Sequence, residues 1–255
     1  MLELNKIFHG DCLEVMKEID DKSIDMVITS PPYDNLRSYN GYIFNFEEIA
    51  KELFRIIKDG GVVVWIVGDA TIKGSETGTS FKQALYFKEI GFNLHDTMIY
   101  DKINYIPLTH NRYEQEFEYM FIFSKNKPNI FNPIKIECKS KGSKTNGRTF
   151  YQTKTDNIPT KGHNNNIVAN EKIKGNVWHL STNSNIKGHP APFPIQLAID
   201  HILSWSNPSD IILDPMIGSG TTAIACLNTG RYYIGIEISK EYVDICNKRI
   251  SDWWG

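Results

Sequence analysis

Ile211-Ile212-Leu213-Asp214-Pro215-Met216-Ile217-Gly218-Ser219-Gly220-Thr221-Thr222 is the stretch that decides the fold. A short apolar run reads as a buried strand and stops at Asp214-Pro215. A Gly-Ser-Gly turn follows, then a helix through Ala223–Leu227. Tyr232–Ile236 reads as the next strand and ends in Glu237. Gly218 and Gly220 let a backbone approach a ligand where a Cβ would clash. Strand, glycine turn, helix, strand and acidic residue is the layout of a nucleoside site. Glu237 is then placed to accept both ribose hydroxyls. A pyrophosphate-binding dinucleotide site is the competing reading. It lacks the third glycine of G-x-G-x-x-G, and no lysine follows as in a phosphate-binding loop.

A second loop carries a different chemistry. Ile24-Asp25-Met26-Val27-Ile28 reads as a strand and runs straight into Thr29-Ser30-Pro31-Pro32-Tyr33. Two prolines in series stiffen the backbone and bias the preceding residues towards extended geometry. Prolines donate no N–H, which leaves nearby carbonyls out of a ladder. The loop thus offers the Ser30 hydroxyl, the Ser30 and Pro31 carbonyls and the Tyr33 ring at a strand's carboxyl end, where open α/β sheets bind ligands. Rigid acceptors beside an aromatic face suit a flat ring with an exocyclic amine, such as an unstacked nucleobase. The plainer alternative is a turn that ends a strand.

Between and around these loops the pattern alternates strand and helix. Lys6–His9 reads as a strand, and Gly10-Asp11-Cys12 leads into a helix from about Leu13 to Ile19. Asn45 to Lys58 reads as a helix ended by Asp59-Gly60-Gly61, and Val62–Val67 as a central parallel strand. Residues 71–79 read as a loop, Phe81–Ile90 as a helix and Leu94–Tyr100 as a strand. Glu116–Ser124 reads as an antiparallel strand, Ile195–Trp205 as a helix, and Lys240 to about Ile250 as the last helix. The expected fold is α/β, one Rossmann-like, doubly wound sheet of about seven mostly parallel strands, interrupted once by a largely irregular insertion. The strand ending at Glu237 is expected between those ending at Leu213 and His9.

The insertion spans 125–188 and is basic. It holds 12 lysines and arginines against three acids, Glu137, Asp156 and Glu171. The whole chain carries 28 basic and 30 acidic residues, leaving the remainder strongly acidic. Such asymmetry is the footprint of a polyanion-binding module, or else of a solvated face. The 255 residues suffice for a core domain with an insertion, and 41% hydrophobic and 23% charged residues are those of a globular protein. No apolar run approaches the roughly 18 residues of a membrane span. The start of the chain lacks the apolar core of a signal peptide. Cys12, Cys138, Cys226 and Cys246 are widely spaced, so neither a disulfide framework nor a metal site is expected. A reducing, cytoplasmic location is the expectation.

Ser-Pro-Pro-Tyr first, a basic variable segment next and Asp-Pro-Met-Ile-Gly-Ser-Gly-Thr-Thr last resembles the β class of amino-methylating, S-adenosylmethionine-dependent DNA methyltransferases of restriction–modification systems. The resemblance covers nearly the whole chain outside 125–188. Met216 departs from it, standing where the family usually has Phe. The resemblance implies a catalytic half over 1–124, a target-recognition insertion over 125–188 and a cofactor half over 189–255. It implies that Gly218, Ser219, Gly220 and Thr221 line the methionine part of the cofactor, with Asp214 and Met216 in the same loop. Glu237 would bind the ribose, Asp11 and Cys12 would flank the adenine, His189, Ala191 and Phe193 would close over the methionine carboxylate, and Ile238 would also lie at the cofactor. Read without the family, Asp11 is an ordinary helix cap and His189 a loop histidine.

Ser30, Pro31, Pro32 and Tyr33 would hold the target amine, and Lys139, Lys141, Lys144 and Arg148 would contact double-stranded DNA. Ser before Pro-Pro-Tyr tilts the family resemblance towards cytosine N4; adenine N6 is the alternative. A carbon-5 enzyme would need a Pro-Cys nucleophile, which is absent. A methyltransferase for RNA or protein glutamine would usually show Asn-Pro-Pro-Tyr after the glycine motif. A non-catalytic DNA-binding relative is the remaining class. The family further implies a monomer or homodimer without stable contact to a cognate endonuclease.

Overall fold

In the computed structural model, residues 2–32, 44–105, 111–144, 167–182 and 193–254 are described. They fall into two compact units, Met1–Asn132 with Asn176–Gly255, and Pro133–Gly175. The larger unit begins β1 (Lys6–His9), α1 (Cys12–Met16), β2 (Ile24–Thr29), α2 (Phe46–Ile56), β3 (Ile57–Val67), β4 (Thr71–Ile72), β5 (Ser75–Glu76), α3 (Thr79–Glu89), β6 (Asn93–Lys102) and β7 (Phe117–Ser124). The smaller unit contributes β8 (Lys135–Glu137) and β9 (Glu171–Ile173). The larger resumes with β10 (Val177–Leu180), α4 (Ile195–Trp205), β11 (Ile211–Asp214), α5 (Thr221–Thr229), β12 (Tyr232–Glu237) and α6 (Lys240–Trp254).

The main sheet has the order β1-β12-β11-β2-β3-β7-β6-β10. Strand β12 lies between β1 and β11, as the sequence leads one to expect. Seven strands run the same way, and β7 alone is antiparallel to its neighbours β3 and β6. Helices α1, α2 and α3 pack as neighbours on one face, and α4, α5 and α6 on the other. Val62 to Val67 are buried on both sides, which is why β3 reads as an unbroken apolar run. Val63, Trp65 and Val67 alternate onto the α1–α3 face.

Phe87 of α3 is the hub of that face. Its ring lies 5.3 Å from Phe46, 5.2 Å from Trp65, 5.5 Å from Phe92 and 4.4 Å from Phe123. The Trp65 indole nitrogen donates to Gln83 Oε1 at 2.8 Å, so the buried ring leaves no polar atom stranded.

Three local features differ from the sequence reading. Helix α2 ends at Ile56, and Ile57 is already extended (φ −70, ψ 137), pairing with Ile24. Gly60, at φ +81, and Gly61 accompany the register shift between Ile24 and Met26. A Cβ on Gly61 would lie 2.9 Å from the Asp25 carbonyl, so the two glycines shape a bulge in β3 rather than a helix stop. Residues 71–76 form the β4–β5 hairpin instead of a plain loop.

The chain also leaves the main sheet later, and returns earlier, than the expected 125–188. Lys125 is buried, its ammonium donating to the Phe54 carbonyl at 2.6 Å and lying 4.5 Å from the Phe54 ring. At the other end Trp178 is buried against His201, ring centroids 4.5 Å apart, and recruits β10 as an eighth strand. The smaller unit pairs β8 with β9 antiparallel, Lys135 opposite Ile173 and Glu137 opposite Glu171. Lys139, Lys141 and Lys144 are exposed there, and Lys141 pairs with Glu137 at 3.2 Å. Among the described residues no helix is long and apolar enough to cross a membrane.

Phe87→Ala is expected to cost about 3–5 kcal/mol, because four packed rings cannot collapse into one vacated site. Urea unfolding should show a lower midpoint at unchanged slope. A loss below about 1 kcal/mol would show that the cluster repacks.

Candidate active site

Strands β1, β12, β11 and β2 are parallel neighbours, so His9, Glu237, Asp214 and Thr29 emerge together at the carboxyl end of the sheet. The loop after β11 turns on Gly218 (φ +54) and Gly220 (φ +86). A Cβ on Gly220 would stand 2.3 Å from the Cys246 sulfur, so no other residue fits that turn. Gly220 also precedes α5 without any side-chain cap. The first amides of α5 therefore lack an intrahelical partner and make the positive end of the helix dipole.

Glu237 is buried and braces this loop. Its Oε2 accepts from the Gly218 amide at 2.9 Å and its Oε1 from the Ser239 amide at 2.8 Å. Burial raises its pKa, while the backbone amides oppose the rise. Each oxygen keeps a lone pair for another donor. The Gly10 amide donates to the Glu237 carbonyl at 3.0 Å, and His9 Nε2 lies 3.1 Å from the Ile238 carbonyl. The turn after β1 is thus stitched to the end of β12. Asp11 there caps α1, accepting from the Leu13 amide at 2.8 Å, and Cys12 beside it is buried.

Asp214 joins the two loops. It is 1% exposed. Its Oδ1 accepts from the Thr29 hydroxyl at 2.8 Å and from the Met216 amide at 3.1 Å, and its Oδ2 from the Thr222 hydroxyl at 2.6 Å. Burial pushes its pKa up to about 6, and the three donors work against that rise. Thr29 immediately precedes Ser30, half-buried, Pro31, buried, and Pro32, half-buried. Thr29 and Thr222 escaped the sequence reading, although a threonine closing an Ile/Val strand is a visible signal. Arg249 escaped too: from α6 it donates to the Ser219 carbonyl and hydroxyl.

The structure thus brings Asp11, Cys12, Asp214, Met216, Gly218, Ser219, Gly220, Thr221, Glu237 and Ile238 to adjoining turns at one sheet end, with Ser30, Pro31 and Pro32 on the neighbouring strand's end. Phe193 is half-buried just before α4. Tyr33, Arg148, His189 and Ala191 lie outside the described residues.

A family model described as DNA methylase matches residues 24–248. The chain belongs to the DNA methylase family. It is 53% identical over 249 residues to the orphan methyltransferase M.BamHII of Bacillus amyloliquefaciens, covering 93% of each chain. It is 29% identical to the type II methyltransferase M.BglII of Bacillus subtilis, covering 97% of this chain and 69% of that one. Among solved structures, a complex of M1.HpyAVI with S-adenosylmethionine is 25% identical with a TM-score of 0.64, covering 96% of this chain and 98% of that one. The PvuII cytosine-N4-specific DNA methyltransferase shares the fold, with a TM-score of 0.72 at 21% identity over 97% of this chain and 90% of that one.

This DNA methylase is therefore an amino-methyltransferase of restriction–modification type that acts on cytosine N4 or adenine N6. Its cofactor is S-adenosylmethionine. The residues at that end of the sheet fit that group. Among the described residues, Thr221 Oγ1 is buried with no hydrogen-bond partner, at the uncapped start of α5. A hydroxyl and free helix amides in that position suit a carboxylate.

Asp214 titrates differently folded and unfolded, with a pKa near 3.8 rising to about 6 on folding. A raised carboxylate pKa stabilises the protein below the unfolded value, and that advantage is lost as pH rises through the folded one. On going from about pH 4 to about pH 7, the stability of the parent relative to Asp214→Asn should fall by about 2 kcal/mol. Denaturant melts of both proteins across that range check it; parallel curves would mean that Asp214 is not a buried charge.

Proposed function

We propose that this DNA methylase moves a methyl group to the exocyclic N4 of cytosine in a base turned out of duplex DNA. The observation that supports the reading is the Thr29–Asp214 hydrogen bond at 2.8 Å, which joins the strand leading into Ser30-Pro31-Pro32 to the strand leading into the Gly218–Thr221 turn. S-adenosylmethionine supplies an electrophilic methyl group on a positively charged sulfur. Gly218, Ser219, Gly220 and Thr221 would hold its methionine part, and the family resemblance assigns His189, Ala191 and Phe193 to the carboxylate. Glu237 would accept the ribose hydroxyls, and Asp11 and Cys12 would flank the adenine, with Met216 and Ile238 also at the cofactor.

The amine of cytosine is a poor nucleophile because its lone pair is delocalised into the ring. The Ser30 hydroxyl and Pro31 carbonyl accept its N–H bonds and release that lone pair for attack. With the cofactor bound, the C–N bond would form as the S–C bond breaks, and the surplus amine proton would be lost to solvent. Tyr33 stacks on the extruded base, worth roughly 1–3 kcal/mol and comparable to the cost of extrusion. No covalent intermediate is needed, since positioning supplies the rate. Lys139, Lys141, Lys144 and Arg148 neutralise backbone phosphates. Serine before the two prolines favours cytosine over adenine. The 53% identical relative is described as an orphan methyltransferase, in keeping with action apart from a bound endonuclease.

Ser30→Ala should keep cofactor and DNA binding but slow methyl transfer by roughly tenfold or more, since the hydroxyl acts chiefly in the transition state. Nucleosides from treated DNA, separated by mass spectrometry, should contain N4-methylcytosine. N6-methyladenine alone would overturn the cytosine assignment, and undiminished turnover in Ser30→Ala would overturn the role of the loop.

A further inference from the structure

We propose that Thr29 is a positioning residue for methyl transfer. Through Asp214 it holds the amine-accepting loop against the cofactor turn. The proposal rests on the functional reading above. Thr29 is the last residue of β2 and fully buried, and its hydroxyl reaches across to β11. From the same carboxylate a second hydrogen bond reaches Thr222 in the first turn of α5, and a third reaches the Met216 amide in the glycine turn. One side chain therefore fixes three segments: the end of β2, the turn after β11 and the start of α5.

Packing alone does not call for this arrangement. Neighbouring positions in β2 and β11 are Val27, Ile28, Ile212 and Leu213, all buried and apolar. A buried carboxylate with hydroxyl partners is generally no more stable than apolar residues of similar volume. What it adds is direction. The Thr29 Oγ–Asp214 bond sets the orientation of the residue whose own carbonyl leads into Ser30. Reacting groups have to be held to a fraction of an ångström, so loosening this bond should affect turnover more than binding.

The titratable groups in the field of Asp214 are Glu237 on β12, Cys226 on α5 and Cys246 on α6, with Arg249 beyond Cys246. The Thr29 hydroxyl lowers the Asp214 pKa by favouring its charged form. Removing that donor should move the acid limb of the pH–rate profile upward. A residue that merely fills space would leave the limb where it is.

Thr29→Val keeps the β-branched shape and deletes the donor; Thr29→Ser keeps the donor and deletes the methyl group. In steady-state methyl transfer to duplex DNA, Thr29→Val should lower kcat by roughly ten- to a hundredfold. KM for S-adenosylmethionine should change far less, and the acid limb should shift towards higher pH. Thr29→Ser should restore both kcat and the limb. Parental kcat with an unshifted limb in Thr29→Val would overturn the proposal, as would failure of Thr29→Ser to restore either. With Ser30→Ala run alongside, a slow Ser30→Ala beside a parental Thr29→Val defeats the positioning role alone. Parental rates in both defeat the reading of the loop on which it rests.

Discussion

One buried carboxylate sets the geometry of this site. Asp214 lies at the end of β11, and its two oxygens take hydrogen bonds from Thr29, Met216 and Thr222. Isolated, a charge in that position would cost far more than it returns; burial pushes its pKa up to about 6, and its three donors oppose that rise. The hydroxyl donors come from the strand that carries Ser30 and from the helix that follows the glycine turn. Two loops separated by about 180 residues of sequence are thereby held in one frame. Glu237 repeats the device one strand over, bracing Gly218 and Ser239 from β12.

Much of the fold was legible because its signals are strong. Val62–Val67 is apolar without alternation, which only a strand covered on both faces tolerates. Helix α4 occupies the span its periodicity implies, and β12 lies between β1 and β11. The rest depended on tertiary partners that no local pattern reveals. Ile57 continues a helical periodicity, yet it pairs with Ile24 and opens β3. Lys125 looks like the first charge of a basic insertion, yet its stem and ammonium pack on Phe54. Trp178 sits in a polar, asparagine-rich stretch, yet in β10, which pairs with β6, it is buried and stacks on His201.

The site was legible to the extent that single motifs carry it. Glycines at 218 and 220 and an acid at 237 have few structural alternatives at those spacings. The Asp11 cap seen here is the plainer of its two sequence readings, although the capped turn is also stitched to Glu237 and Ile238. Thr29 is visible as a threonine closing an apolar strand, but its importance, like that of Arg249, lies in whom it touches. Thr29 belongs to β2 by pattern and to the cofactor loop by its hydrogen bond. Arg249 belongs to a surface helix by pattern and to Ser219 by its guanidinium.

Bound cofactor is the common requirement of both loops, so the most direct measurement is a crystal structure of the protein with S-adenosylmethionine. The adenosine should lie along the turn after β1 with its ribose hydroxyls on Glu237. The methionine carboxylate should lie at the start of α5 beside Thr221 Oγ1, with the sulfur open towards Ser30 and the Thr29–Asp214 bond intact. Cofactor bound away from Glu237, or a sulfonium separated from Ser30 by an intervening strand, would contradict the assignment of the two loops to one site.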